Sequence, residues 1–351
     1  MSEPLYVPVL PTRPHAAQAF QRLRWDIRCL AVPLWNLPPL PAMTSTGLDT
    51  AVDKLVGPVS KVQSRQEAWL DTPFAEDSQV WQLADTLSVY SELGRLRPVT
   101  GPERSGAQQT AALRTAHRCG CGVGIRVRVP GEWSDGITEA VRALLARARS
   151  LVPVDLLLDL GSVLADRPDA GKEALRALDA LVSLAEWRTT AVLAGGFPRV
   201  TADMLDGGLR EDPRTDWHMW KEVRASGRSY AAALSYGDYG VQPTSALAQA
   251  PRDSSGGPAW GFLRYTTDRS FVLCGTLARG TDRIEVNRRA ARRILDLAEF
   301  RGPGAGDGEQ WLYDCANGPL TDSRGTGNHT QWLWSGNVQH MTYVARCLPR
   351  N

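Results

Sequence analysis

The sequence predicts an α/β protein: a TIM-like (β/α)8 barrel with a Trp-rich C-terminal appendage. Three observations lead there. Short β-branched or apolar runs alternate with stretches of helical period along most of the chain, as they do where βα units build a parallel sheet. Eight such runs precede residue 266, the number that closes a ring. The first run is followed by a Pro-containing segment (residues 8–14), where an open doubly wound sheet would carry a Gly-rich phosphate turn.

The runs follow in order. Residues 5–10 form the first, with Ala16, Phe20 and Leu23 spaced about one helical turn apart behind it. The second covers 27–34 and ends in Trp35-Asn36 and a Pro-rich turn, and the third covers 67–74. A long helix is expected from 79 to 93, then a Pro- and Gly-rich loop over 98–106, then a helix ending near Arg118. Residues 123–129 alternate with period two and make the fourth run. The fifth, sixth and seventh are 154–160, 189–194 and 230–236, separated by helical stretches at 172–184 and 217–223. The eighth is 260–265, hairpinned with 271–274, and the last barrel helix covers 286–298. Residues 1–301 are therefore assigned to the barrel. Residues 302–351 form an extension with Trp311, Trp332 and Trp334, whose final helix (336–348) packs back on the barrel.

Composition narrows the function. Forty basic against thirty-eight acidic residues leave a formal charge of +2, which disfavours a broad nucleic-acid groove. No run reaches the roughly 18 apolar residues of a membrane span, and the N-terminus has no secretion pattern, so a cytoplasmic location is expected. Six cysteines are too few for a disulfide framework. Cys119 and Cys121 read as a small-residue turn, since no second pair stands at zinc-ligand spacing. The five histidines form no H-x-H or H-E-x-x-H pair, and neither a G-x-S-x-G elbow nor a P-loop is present.

In a parallel barrel, function sits on the face where the strands end. The polar residues expected there are Arg13 and His15, Asn36, Asp71, Arg128, Asp159, Asp238 with Tyr239, and Arg264 with Tyr265. Asp159 interrupts an apolar strand, where a carboxylate needs a partner, expected to be Arg128 or a group after the sixth strand. Asp238 lies between two glycines, a turn position by default. Arg264, inside an apolar run, needs an anion or carbonyl. Arg126 and Arg128 alternate with valine, so both are expected inside the barrel, where a salt-bridge layer is the common fate.

Several segments together resemble the beta family of phage and bacterial proteins. They include 6–10, Leu156-Leu-Leu-Asp-Leu160, Gly195-Gly-Phe-Pro198, Arg214-Thr-Asp-Trp-His-Met-Trp220, Tyr236-Gly-Asp-Tyr239, Leu263-Arg-Tyr-Thr266 and Gln339-His340, in family order. The resemblance implies a setting of phage–host conflict or mobile elements, and no reaction.

The residues suggest a hydrolase or phosphodiesterase-like enzyme for a phosphorylated or nucleotide-like ligand. Asp159, Asp238 and His340 would be catalytic, the carboxylates doing acid–base work or holding a divalent cation. Arg128, Arg264, Arg13, Tyr239 and Tyr265 would bind substrate. The alternative is a non-catalytic module of a phage defence or exclusion system, whose protein partner would meet Trp311, Trp332 and Trp334.

Overall fold

The computed structural model describes residues 5–148, 152–205, 208–250, 258–318 and 325–349. Eight parallel strands close into a barrel: β1 (Tyr6–Pro11), β2 (Leu34–Asn36), β3 (Ala68–Asp71), β4 (Leu96–Thr100), β5 (Val123–Arg128), β6 (Val154–Ser162), β7 (Thr189–Gly195) and β9 (Ser235–Asp238). β9 pairs with both β7 and β1, which leaves no edge on the ring. β8 (Leu209–Pro213) lies outside it. It joins the hairpin of β10 (Trp260–Thr266) and β11 (Ser270–Leu277) in a three-stranded antiparallel sheet.

The eightfold count is right, but its membership differs from the expectation. Residues 260–265 belong to the antiparallel sheet and not to the ring. Their place is taken by β4, which was not foreseen and runs into the stretch (98–106) expected to be a loop. Arg97 and Pro98 hide that strand: a charge breaks the apolar pattern, and Pro98 removes a ladder donor. The second run is mostly not strand. Residues Trp25–Arg28 are one turn of helix, and β2 begins only after Pro33, which favours extended backbone before it. In the seventh run, Ala231–Ala233 form a 3₁₀ turn and pairing starts at Ser235.

Period-two alternation sorts each strand into an inner and an outer set. Val7, Val9, Leu34, Trp69, Val99, Leu157, Ala191 and Leu193 fill the interior, so the barrel is packed and not a pore. Its floor is polar. Asp155 accepts from Trp69 Nε1 at 2.9 Å and from Arg188 Nε at 2.8 Å, with Arg97 Nη1 at 3.4 Å. Two strands carry glycine where side chains of neighbouring strands press in. A Cβ on Gly124 would lie 3.0 Å from Trp69 Cδ1, and one on Gly237 only 2.3 Å from Leu193 Cδ2.

Helices cover the outer set, with legible ends. The helix Gly106–Cys119 opens on a reciprocal cap: Ser105 Oγ accepts from Gln108 N and Gln108 Oε1 from Ser105 N. It stops at Gly120, whose φ of 61° suits glycine. The turn expected from Cys119-Gly-Cys121 is there, with the two sulfurs joined in a disulfide.

Three C-terminal helices, Arg283–Leu295, Asp307–Asn317 and His329–Cys347, pack with the antiparallel sheet around Leu263, Tyr265, Val272 and Trp332. The last begins at Asn328, whose side chain accepts from Gln331 N, and so extends further upstream than periodicity suggested. Trp332 and Trp334 are buried. That removes both as a contact surface for a partner.

Candidate functional site

The mouth of the barrel is organised around Arg126, the inward residue of β5 one layer above Gly124. Its guanidinium makes four hydrogen bonds and an ion pair. Nε and Nη2 reach Asp159 Oδ2 at 2.9 and 2.7 Å. Nη1 donates to Asn36 Oδ1 and to Asp71 Oδ2, both at 2.7 Å. Nη2 also donates to the Tyr239 hydroxyl at 2.8 Å. Arg104 Nη2 also donates to Asp71, to Oδ2 at 3.1 Å and to Oδ1 at 3.3 Å. One guanidinium thus ties together β2, β3, β6 and the loop after β9.

Asp159 is equally engaged. Its Oδ1 accepts from the Tyr239 hydroxyl at 2.7 Å and from Gly161 N at 2.8 Å, while Oδ2 faces Arg126. Burial works to raise its pKa. The Arg126 charge, the Tyr239 hydroxyl and the Gly161 N–H outweigh burial, and the carboxyl is held below its ordinary range. Tyr239 moves the opposite way, pushed up by burial and by the Asp159 charge. At neutral pH the centre therefore holds an ionised carboxylate, a cationic guanidinium and an intact phenol.

A cleft of about 380 Å³ opens above this floor. Asn36, Arg126, Asp159 and Tyr239 form its base, and Pro73, Phe74, Pro130 and Leu247 give it apolar walls. Arg128 stands at the rim with an exposed side chain, 3.9 Å from Glu103 Oε1. Gly195 lets the loop after β9 fold down over the mouth, because a Cβ there would meet Thr244 Cγ2 at 2.4 Å.

A second buried cluster lies behind the barrel wall. Asp238 and Tyr236 are outward residues of β9, whereas Tyr239 turns inward. Asp238 accepts from Tyr6 Oη at 2.8 Å and Gly240 N at 2.9 Å, and lies 2.9 Å from His340 Nε2. The other ring nitrogen of His340 is 2.9 Å from Thr266 Oγ1. Burial works to raise the Asp238 pKa, but His340 and the hydrogen bonds hold it low. Nearby, Asp216 accepts from Tyr236 Oη at 2.7 Å. Burial pushes its pKa up despite Arg214. Asp238, His340 and Thr266 join the barrel, the last helix and the antiparallel sheet.

The residues expected at one site thus separate. Asp159, Tyr239 and Arg128 meet at the cleft. Asp238 and His340 pair with each other on the opposite face of the wall, so Asp159 and Asp238 cannot share a cation. Arg264 does not line the cleft; it stacks over Phe197 with Cζ 5.7 Å from the ring centroid. Tyr265 sits in the core of the antiparallel layer, where its hydroxyl donates to Glu299 O and accepts from Arg301 N. Arg13 Nη2 donates to Gln249 O, at the end of the loop that walls the cleft. Among the described residues, no group of three or more His, Cys, Asp or Glu side chains is arranged to hold a metal ion. No described helix is long and apolar enough to cross a membrane.

Asn36 and Arg126 complete the floor, with Asp71 bonded to Arg126 beside it; the sequence places Asn36 and Asp71 at this face, and none of the three stands among the catalytic or substrate-binding residues it suggests. The signal was the spacing of Arg126 two residues before Arg128, which puts both on the inner face.

Comparison with known proteins adds a family. The family model described as Beta protein matches residues 6–346. No curated protein matches the chain. Among solved structures, the chain is similar to a Thermobacillus composti GH10 xylanase, at 10% identity and a TM-score of 0.40, covering 68% of this chain and 83% of that one.

Proposed function

This chain belongs to the Beta protein family, and we propose that its barrel mouth binds a small phosphorylated or nucleotide-like molecule. One observation carries the reading. A single cleft joins apolar walls, suited to a flat ring, to an exposed Arg128 at its rim and a fixed polar floor. Phe74, Pro130 and Leu247 would hold the ring, and Arg128 would meet the anionic end.

Binding stands ahead of hydrolysis. Asp159 is the only carboxylate among the described lining residues, and its roughly four lone-pair directions are taken by Arg126, Tyr239 and Gly161. A carboxylate so engaged positions its neighbours and is poorly placed to take a proton from water. The phosphodiesterase-like step therefore rests on the ligand class alone.

Calorimetric titration with mononucleotides, dinucleotides and sugar phosphates tests the proposal. At least one is expected to bind, and Arg128→Ala should weaken it about tenfold, the worth of one charge-assisted hydrogen bond. Tyr239→Phe, which removes the hydroxyl shared by Asp159 and Arg126, should weaken it as well. If no compound of these classes binds, or Arg128→Ala binds as tightly as the parent, the proposal fails. Phosphate release in the same samples would reverse the order of binding and hydrolysis.

A further inference from the structure

The helix Arg283–Leu295 carries five arginines and one glutamate, while the whole chain sums to only +2. Basic charge is therefore concentrated on one element. Its inner face is apolar, with Ala290, Ala291 and Ile294 packed into the C-terminal core. Arg289, Arg292 and Arg293 are exposed, and Arg288 is half-buried. Helical geometry sets these four in two neighbouring rows, 288 with 292 and 289 with 293, each pair about 6 Å apart along the axis.

Two open recesses flank the rows. One, of about 370 Å³, is lined by Arg288, Arg289 and Arg292 together with Asp282 and Glu285. The other, of about 200 Å³, is lined by Arg289 and Arg293 against Gly208 and Gly275. Arg289 lines both, so the recesses adjoin across it. Glycines let the outer guanidinium groups lie close to the backbone: a Cβ on Gly208 would stand 2.8 Å from Arg293 Nη1, and one on Gly318 3.1 Å from Arg288 Nη2. Arg289 has its own partner in Glu285, one turn back, and is not counted as a free charge. Arg288, Arg292 and Arg293 have no ion pair among the described residues, and Arg288 Nε is buried without an acceptor. The helix dipole favours cations at 292 and 293 in the last turn. It gives no reason for Arg288, which faces a like charge one turn on and is repelled by it.

We propose that this helix face is a docking surface for the phosphodiester backbone of a nucleic acid, held by charge and without reading of bases. An ordinary solvated helix face mixes both signs; this one leaves three cations unanswered beside two recesses. They stand in two rows and reach both recesses, so they address phosphates in series and not a single anion. Guanidinium groups suit that task, since each can take two phosphate oxygens at once. No aromatic side chain is among the described residues lining either recess, so bases find no stacking platform there. The near-neutral total speaks against a broad groove, and this surface is one helix wide. It shares no lining residue with the cleft at the barrel mouth and stands apart from the function proposed above.

Fluorescence anisotropy of a labelled single-stranded oligonucleotide, titrated with the full chain over a series of salt concentrations, tests the assignment. Binding without sequence preference is expected, with a log–log salt slope of about −2, the counterion release of roughly three neutralised phosphates. Arg288→Gln, Arg292→Gln and Arg293→Gln should each reduce the size of that slope by about 0.7, and the triple variant should abolish binding. Arg118→Gln, an exposed arginine of the helix Gly106–Cys119, should leave slope and affinity unchanged. Melting curves like the parent's show that each variant is folded; should the triple variant not fold, the three single slopes decide. No binding by the parent at low salt, slopes unchanged in the single variants, or capture of anionic phospholipid vesicles in preference to the oligonucleotide would each overturn the proposal.

Discussion

His15 is a buried, uncharged imidazole in the folded protein and an ordinary one in the unfolded chain. Its pKa is about 4 when folded and roughly 6.5 when unfolded. Between those values the unfolded chain binds more protons, so stability is fully present above the unfolded value and is lost as pH falls toward the folded one. The span corresponds to at most about 3 kcal/mol. Urea titrations of the parent and of His15→Phe should differ in slope across this window, the variant being flatter; parallel curves would remove His15 as the cause. Much at this scale was legible in the sequence. Asp159 in an apolar strand had to have a partner, and it has one. The sequence pointed to Arg128 or a group after the sixth strand, and the structure gives Arg126, because two residues along a strand is one layer up the barrel, and only the lower layer is closed over. The separation of Asp238 from Tyr239 was also readable in principle, since adjacent residues of a strand face opposite ways. Treating them as one motif hid it.

Glycines in the strands show how each element is fitted to its neighbours. Gly237 of β9 stands where a Cβ would lie 2.3 Å from Leu193 Cδ2 and 2.7 Å from Val7 O, and that carbonyl belongs to a paired strand that cannot give way. Gly237→Ala should therefore cost about 1–3 kcal/mol by overpacking. Gly136→Ala is the contrast: within the helix Asp135–Ala148 a Cβ meets nothing closer than 3.7 Å, and the change should stabilise by about 0.5–1 kcal/mol. Denaturant midpoints of the two variants should move in opposite directions; a shared direction would contradict the packing account. The long strands β6 and β7 were plain in the sequence because buried parallel strands read as continuous runs, and β5 was plain from its period-two alternation. β2, β3, β4 and β9 are each five residues or fewer. Such short strands are held by ring closure and by side chains such as Arg97 and Asn36, which a hydropathy pattern registers as loop.

In the whole molecule, the C-terminal helices are part of the packed core. Val338, Met341 and Val344 of the last helix lie in the same apolar cluster as Tyr6, Leu10 and Phe20, and His340 reaches through to Asp238. Removing residues 302–351 should expose that surface and leave Asp238 buried without its partner, so an insoluble product is expected; a soluble, cooperatively folding fragment would show an independent barrel. The barrel class was legible from alternation alone. The antiparallel sheet was not, because a hairpin after seven parallel runs is easily counted as the eighth. The Asp155 layer with Trp69 and Arg97 has a consequence for traffic. With its lower end stoppered by interlocked charges, the cylinder is a cup and not a conduit. Whatever enters beside Phe74 must back out the same way, so arriving and departing molecules compete for one doorway.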